Sequence, residues 1–330
     1  MANYNMRKQD PPKLSILILN YNGRELLEDC IISIKDNTTY PNYEIVLIDN
    51  NSSDNSVSYV RENHSDVQIV QNSENLGFAE ANNRAIKSTN SEYVLLLNND
   101  TEVGQNWLKP LVELAESAEE TKVVSPKLVY ENGDPQFMGD KIILRESGIP
   151  KIVNKGLTAI EKRYDRQKEI YRAIGAAMLI QRNLFEDVGY LDENYAFYME
   201  EFDFCLQTKN QKYKILYTPE SEVIHKSRTS AGTDPYYSYY LRRRSRVRFY
   251  LLNFSLLRLL VQLPIELATV FDSIVQGYSK WVLKAYYDSL KQLPSLVDER
   301  RHRQQYNHTT NKFRTIYREI RSFLDSFKSL

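Results

Sequence analysis

Four polar stretches hold the side chains best placed to do chemistry. Asn20, Tyr21 and Asn22 follow the apolar run 14–19, Asp49, Asn50 and Asp54 follow 44–48, and Asn98, Asn99 and Asp100 follow 93–97. The fourth is the acidic cluster Glu200, Glu201 and Asp203, with His225 further on. Carboxylates and amides at strand ends supply the directed hydrogen bonds that a nucleobase and ribose need, and they suit a hard cation bridging phosphates. The sequence contains no GxGxxG or GxxxxGK[ST] stretch, which argues against a dinucleotide dehydrogenase or a P-loop enzyme. A helix over 199–208 would set Asp203 beside Glu200 at i+3 and turn Glu201 about 100° away. Simpler readings are available: Asp100 as a turn residue, the stretch from Asn50 to Ser53 as a helix cap, and the acidic cluster as a solvated face.

The elements that position these residues follow from periodicity. Residues 14–19 are continuously apolar, and Leu26, Leu27, Cys30, Ile31 and Ile34 then recur at helical spacing. Strands at 44–48, 67–70 and 93–97 are expected, with a helix over 79–88 between the last two. Continuous apolar strands alternating with amphipathic helices predict an α/β fold: a Rossmann-like, mostly parallel sheet covered on both faces. Ligands bind such sheets at the carboxyl ends of the strands, where the polar loops lie. Beyond a helix at 107–117 come short strands at 123–125, 128–130, 142–144 and 173–180. From residue 236 the pattern is helical, with one apolar face of Tyr278, Trp281, Val282, Ala285, Tyr286 and Leu290 and another running from Phe313 to Phe327.

The chain has 330 residues and a formal net charge of zero, with 43 basic and 43 acidic side chains. The balance is uneven along the chain. From residue 236 onward there are 17 Lys and Arg against 7 Asp and Glu, so residues 1–235 are acidic by the same margin. Two isolated cysteines, Cys30 and Cys205, form neither a disulfide framework nor a zinc cluster, and buried thiols are expected. The polar start of the chain shows no apolar core of a signal peptide, and no apolar run reaches the roughly 18 residues of a membrane span. No nucleic-acid recognition module is visible, so a nucleic-acid partner is not expected.

In chain order, Asn20-Tyr21-Asn22, then Asp49 to Asp54, then Asn75-Leu76-Gly77-Phe78-Ala79 with Asn82, then Asn98-Asn99-Asp100, then Gly175 to Ile180, then Glu200 to Asp203 and His225, resemble glycosyltransferase family 2. Within it the sequence is most similar to the rhamnosyltransferase-like branch that builds cell-surface glycans. The resemblance spans about residues 13–250 and rests on the shared order of several motifs. It implies a GT-A fold and inverting transfer of a sugar from a nucleoside diphosphate sugar, UDP or dTDP, with Mg²⁺ or Mn²⁺. On that resemblance Asp100 and His225 hold the metal. Asn20, Tyr21, Asn22, Asp49, Asn50, Asn82, Asn98, Asn99 and Arg244 contact the donor. Glu201 is the base, with Glu200 as competitor and Asp203 nearby, and the small residues from Gly175 to Met178 leave room for the acceptor. Asn98 and Asn99 stand where the family's DxD pattern begins, and Glu-Glu stands where it has Glu-Asp.

Arg242, Arg243, Arg244, Arg246 and Arg248 precede the apolar stretch 249–263 and suit phosphate groups or an anionic surface. The expected organisation is a GT-A catalytic domain over 1–235 and a basic helical region over 236–330. The latter would contact the inner face of a cell membrane or a second copy of the chain. The expected acceptor is a glycan or lipid-linked glycan; the competing class is a noncatalytic nucleotide- or glycan-binding scaffold on the same fold.

Overall fold

The computed structural model describes residues 10–137, 143–144, 150–151, 166–195, 197–226 and 234–306. The stripe from Phe313 to Phe327 lies outside them. The chain opens β1 (Leu14–Asn20), α1 (Arg24–Asn37), β2 (Tyr43–Asp49), α2 (Ser56–Asn63), β3 (Gln68–Gln71), α3 (Gly77–Ser88) and β4 (Tyr93–Asn98). It continues with β5 (Thr101–Val103), α4 (Leu108–Ala115), β6 (Thr121–Val129), β7 (Pro135–Phe137), β8 (Ile143–Leu144), β9 (Pro150–Lys151), β10 (Lys168–Glu169) and β11 (Ala177–Gln181). Then come α5 (Leu184–Val188), α6 (Glu200–Asn210) and β12 (Lys214–His225).

Among the described residues the main sheet runs β10-β12-β6-β11-β4-β1-β2-β3. Strands β4, β1, β2 and β3 are parallel and in register, so that Asn20 pairs with Asp49 and Asp49 with Gln71. Leu14, Ile16, Leu17 and Ile18 are all fully buried, because helices cover both faces and leave neither side of β1 for water. The parallel pattern breaks at β11, which is antiparallel to both β4 and β6. Residues 173–176, expected as strand, are irregular chain and then a turn at 175–176 before β11. Strand β5 folds back antiparallel on β12 and pairs Thr101 with His225, which returns the chain after Asp100 onto the histidine.

Four helices follow: α7 (Pro235–Asn253), α8 (Leu256–Val275), α9 (Ser279–Lys291) and α10 (Leu293–Tyr306). Helix α7 begins with Asp234 accepting from the Tyr236 amide and Pro235 in the first turn, where its missing N–H costs nothing. Ser255 caps α8 by accepting from the Arg258 amide. Phe249, Tyr250 and Phe254 pack with Tyr195 and Phe202, so α7 shares a core with the start of α6. Tyr240 and Leu241 pack on Ala285 and Trp281 of α9. The expected α9 face is corrected at Leu290, which is exposed.

Candidate active site

The strand ends are tied together by amides. Asn99 Nδ2 donates to Asn20 Oδ1 at 2.7 Å, and Asn20 Nδ2 donates to Ser52 Oγ at 3.1 Å and to Asp49 Oδ1 at 3.4 Å. Asn20 and Asp49 are fully buried. Gly23 makes this possible: a Cβ there would lie 2.0 Å from Asn99 Nδ2 and 2.7 Å from Asn20 Oδ1. Its carbonyl also accepts from the Leu26 and Leu27 amides and so starts α1. Tyr21 stands exposed at the rim. Asn22 sits in the left-handed region at φ 50°, accepts from the Ser53 amide at 2.8 Å and donates its own amide to Ser52 Oγ at 2.9 Å, pinning the first loop to the second.

Asn50 lies one layer further in. Its Nδ2 donates to Gly77 O at 2.9 Å and Asn75 Oδ1 at 3.1 Å, and its Oδ1 accepts from Asn72 Nδ2 at 3.0 Å. Its amide is thus engaged with the loop leading into α3. Asn82 is buried in α3, where Nδ2 donates to Phe78 O at 2.8 Å and Oδ1 has no partner among the described residues. Phe78 fills the space at Gly175, where a Cβ would come within 2.7 Å of the ring. The room expected there for an acceptor sugar is therefore occupied by an aromatic side chain.

Asp100 and His225 meet across the β5–β12 ladder, with His225 Nε2 3.2 Å from Asp100 Oδ1. Gln136 Oε1, an atom that only accepts, lies 2.8 Å from His225 Nδ1, so the proton of a neutral ring belongs on Nδ1. The Nε2 lone pair then faces a carboxylate oxygen and Asn98 Nδ2 at 3.4 Å. A lone pair directed at a carboxylate is repulsive unless a proton or cation lies between, so this donor set fits a divalent ion. Among the described residues no cluster of three or more His, Cys, Asp or Glu could hold a metal. A cation here would need oxygens from its ligand to complete its sphere.

The acidic cluster occupies the first turn of α6. Two consecutive left-handed residues, Tyr198 at φ 69° and Met199 at φ 77°, precede it, an uncommon conformation for bulky side chains that re-aims the chain into the helix. Glu200 is buried and its Oε2 has no partner among the described residues. Burial and then the neighbouring Glu201 push its carboxyl well above the usual range, so it is held neutral. Glu201 is half-buried and reaches solvent.

Asp203 is turned away from solvent. Arg303 Nη1 on α10 binds both its oxygens, at 2.8 and 2.7 Å, and Asn253 Nδ2 binds one at 2.8 Å. Burial leaves the Asp203 carboxyl raised above its usual value, and Arg303 and Asn253 draw it only part of the way back. The expected role of Asp203 beside the base is corrected to that of an anchor between α6 and the C-terminal helices. Arg248 and Arg303 converge on Asp192, at 2.6 and 3.3 Å, and on Glu299, both at 2.6 Å. Arg243 is likewise buried against Glu266. These two members of the arginine cluster are thus already neutralised within the fold. Arg244 is half-buried, and its charge reaches Tyr240 and Asp288 on the α9 side.

The contacts form two groups, Asn20 with Asp49 and Asn99, and His225 with Asn98 and Asp100, which the consecutive residues 98–100 bring side by side, with Tyr21 and Asn22 at the rim. Sequence reasoning gave Ser52 no role of its own within the stretch 49–54, and it missed Gly23 and Gln136. Only Gly23 had a local signal, as the glycine that ends the first polar loop.

The family model for glycosyl transferase family 2 matches residues 15–189, more than half of the chain. A low-salt glycan biosynthesis hexosyltransferase, Agl10 of Haloferax volcanii, is 26% identical over 64% of this chain and 66% of its own length. An N-acetylglucosaminyl-diphospho-decaprenol L-rhamnosyltransferase of Mycobacterium tuberculosis is 22% identical over 67% of this chain and 78% of its own. The chain spans only 18% of another relative, the O-antigen biosynthesis protein RfbC of Myxococcus xanthus. Among solved structures, GalNAc-T7 with UDP, GalNAc and Mn²⁺ superposes with a TM-score of 0.58 at 21% identity, over 74% of this chain and 48% of that one. The Pyrobaculum calidifontis mannosyltransferase PcManGT with GDP-Man and Mn²⁺ gives 0.52 at 16% identity, over 95% and 85%. The strand order, the strand-end cluster and the family match agree: this chain belongs to glycosyltransferase family 2 and has the GT-A fold.

Proposed function

We propose that the chain is an inverting, metal-dependent glycosyltransferase that moves a sugar from a UDP or dTDP sugar to a hydroxyl of a lipid-linked or cell-surface glycan. The observation that carries this is the buried amide and carboxylate cluster of the strand ends, which runs into the Asp100–His225 pair. The half-buried Asn99, with Tyr21 and Asn22 at the rim, offers the acceptors and donors that orient a nucleoside, and the buried Asn20, Asp49 and Asn50 hold the loops behind them. Asp100 and His225 would hold Mg²⁺ or Mn²⁺, which when bound neutralises charge on the departing diphosphate. Solved GT-A neighbours that contain a nucleotide with Mn²⁺ support this pairing.

Glu201 takes the proton of the acceptor hydroxyl as its oxygen attacks the anomeric carbon. The bond from that carbon to the diphosphate breaks on the opposite face, so the configuration inverts and a nucleoside diphosphate leaves. A base must be ionised and reachable, which favours the half-exposed Glu201 over the buried neutral Glu200. The Mycobacterium relative, whose name specifies a diphospho-decaprenol acceptor, supports a lipid-borne acceptor here. Such an acceptor implies work at the inner face of a membrane by a catalytic region over 1–235 and a docking region over 236–330.

A panel of nucleotide sugars incubated with the chain, Mn²⁺ and a polyprenyl-diphosphate-linked sugar tests the proposal. Nucleoside diphosphate release that requires both metal and acceptor is the expected result. Donor binding without release above the metal blank would leave a scaffold in place of an enzyme.

A further inference from the structure

The C-terminal helices leave one wide apolar surface uncovered by the described residues. On α8, Leu260, Leu263, Leu267, Phe271 and Val275 are exposed by 60, 53, 62, 70 and 71%. From position 257 to 271 every exposed residue is Leu, Pro, Ala or Phe, and the first exposed charge is Asp272. At 100° per residue these positions fill an arc of roughly 140° along the whole helix. A narrow two-position stripe would suit a single partner helix; an arc this broad suits a continuous apolar medium.

The opposite arc of α8 is docked on protein. Glu266 pairs with Arg243 at 3.2 Å and accepts from the Tyr286 hydroxyl, and Gln262 and Ser273 are buried. Among the described residues no helix is long and apolar enough to cross a membrane. Helix α8 therefore has the geometry of a helix lying in an interface, one face held by its own fold.

The neighbouring α9 fixes the chemistry of the medium. Its exposed residues interleave Lys280, Lys284 and Lys291 with Leu283, Tyr287 and Leu290; Asp288, the one acidic residue of α9, is half-buried and pairs with Lys284 at 2.6 Å, which leaves Lys280 and Lys291 to carry the positive edge. Long lysine stems beside an apolar surface let the ammonium reach an anionic layer while the leucines enter below it. A symmetric dimer through the same face would set one lysine-bearing surface against its copy, at a cost in repulsion.

We infer that the exposed arc of α8, edged by the lysines of α9, is a docking face for an anionic lipid surface. It rests on the proposed lipid-borne acceptor only for the reason to be there. The experiment contains neither donor nor acceptor, so its failure leaves the proposed transfer standing.

The full chain with Phe271→Cys is labelled with a polarity-sensitive thiol dye. Cys30 and Cys205 are fully buried, and burial pushes both thiols up to about 12, so the dye goes to position 271. The labelled chain is mixed with vesicles of phosphatidylcholine alone or with about one third phosphatidylglycerol. The expected result is a blue shift and co-sedimentation with the anionic vesicles, weakened by salt. Leu267→Glu combined with Phe271→Glu in the unlabelled full chain is expected to reduce that binding at least about tenfold, with circular dichroism unchanged. Vesicle binding that survives the double substitution, or no binding by the parent, overturns the inference. So does a dye already blue-shifted without lipid: the face would then be covered by a second copy, seen as a dimer in light scattering, or by residues 307–330 of the same chain.

Discussion

Glu200 and Asp203 lie one turn apart on α6 and are almost equally buried, 4% and 3% exposed, yet they meet different treatment. The C-terminal helices give Asp203 a two-point bond from Arg303 and another from Asn253. Glu200 Oε2 has no partner among the described residues, and burial, then Glu201, raises its carboxyl well above the usual range. The same contrast runs through the molecule. In the helical region Arg243, Arg248 and Arg303 are matched to Glu266, Asp192, Glu299 and Asp203, as buried charges must be for the fold to hold. At the strand ends Asp100 Oδ1 and His225 Nε2 stand 3.2 Å apart, a carboxylate and an imidazole placed to share a proton or a cation. Paired burial marks where charge holds the chain together.

The largest effect expected from this contrast is at Glu201. Glu201→Gln keeps the shape and removes the base, so transfer should fall by about 10²–10⁴ while donor affinity, read by titration with nucleotide sugar and Mn²⁺, changes little. Turnover within tenfold of the parent would move the base to another group. Arg303→Ala follows, since it leaves Asp203 buried without its cation. A loss of about 3–5 kcal/mol is expected in urea unfolding, and Asp203→Asn in the same chain should recover part of it, because the uncompensated charge is gone. A loss below about 1 kcal/mol would mean that the network does not bind α10 to α6. Asp100→Asn comes third. It should raise the Mn²⁺ concentration needed for half-maximal transfer by at least about tenfold and leave thermal stability nearly unchanged, since this carboxylate faces the ligand and not the fold.

The strand ends were legible in the sequence because each short apolar run stops at a cluster of Asn, Asp and Tyr, and burial on both faces of a parallel sheet demands such runs. β1, β2 and β4 follow from that pattern within a residue or so. Strand β5 was not legible: three residues, Thr101–Val103, carry too little periodicity, and only pairing with β12 makes them a strand. The reversal at β11 was hidden for a related reason, since an apolar strand buried on both faces reads the same in either direction. Gly23 is required by Asn99, which arrives from β4, and Gln136 orients His225 from β7. The arginine cluster invited a phosphate partner, but the acidic residues that neutralise Arg243 and Arg248, namely Glu266, Asp192 and Glu299, come from other parts of the chain. Net charge along the sequence does not reveal which charges the fold has already spent on each other.

The smallest effect separates the two carboxylates of α6 by pH. Glu200 has its folded pKa raised, first by burial and then by Glu201, above the usual value of 4.5. Above that value the unfolded chain releases the proton while the folded chain keeps it, so the native state binds more protons and stability falls as pH rises. The loss begins near pH 4.5, grows by at most about 1.4 kcal/mol per pH unit, and stops once the folded group ionises. Glu200→Gln carries no such proton. Its stability relative to the parent should be flat below pH 4.5 and should climb between pH 4.5 and 5 by less than about 1 kcal/mol, continuing upward toward neutral pH. Asp203→Asn should show its own dependence, setting in lower, near pH 3.8, because burial raises this carboxyl too while Arg303 and Asn253 draw it part of the way back, and the variant also loses the Arg303 bond. Urea midpoints of both variants across this range decide the matter. If the Glu200→Gln difference stays constant with pH, Glu200 is ionised in the folded chain, and the contrast between an unpartnered Glu200 and an anchored Asp203 fails.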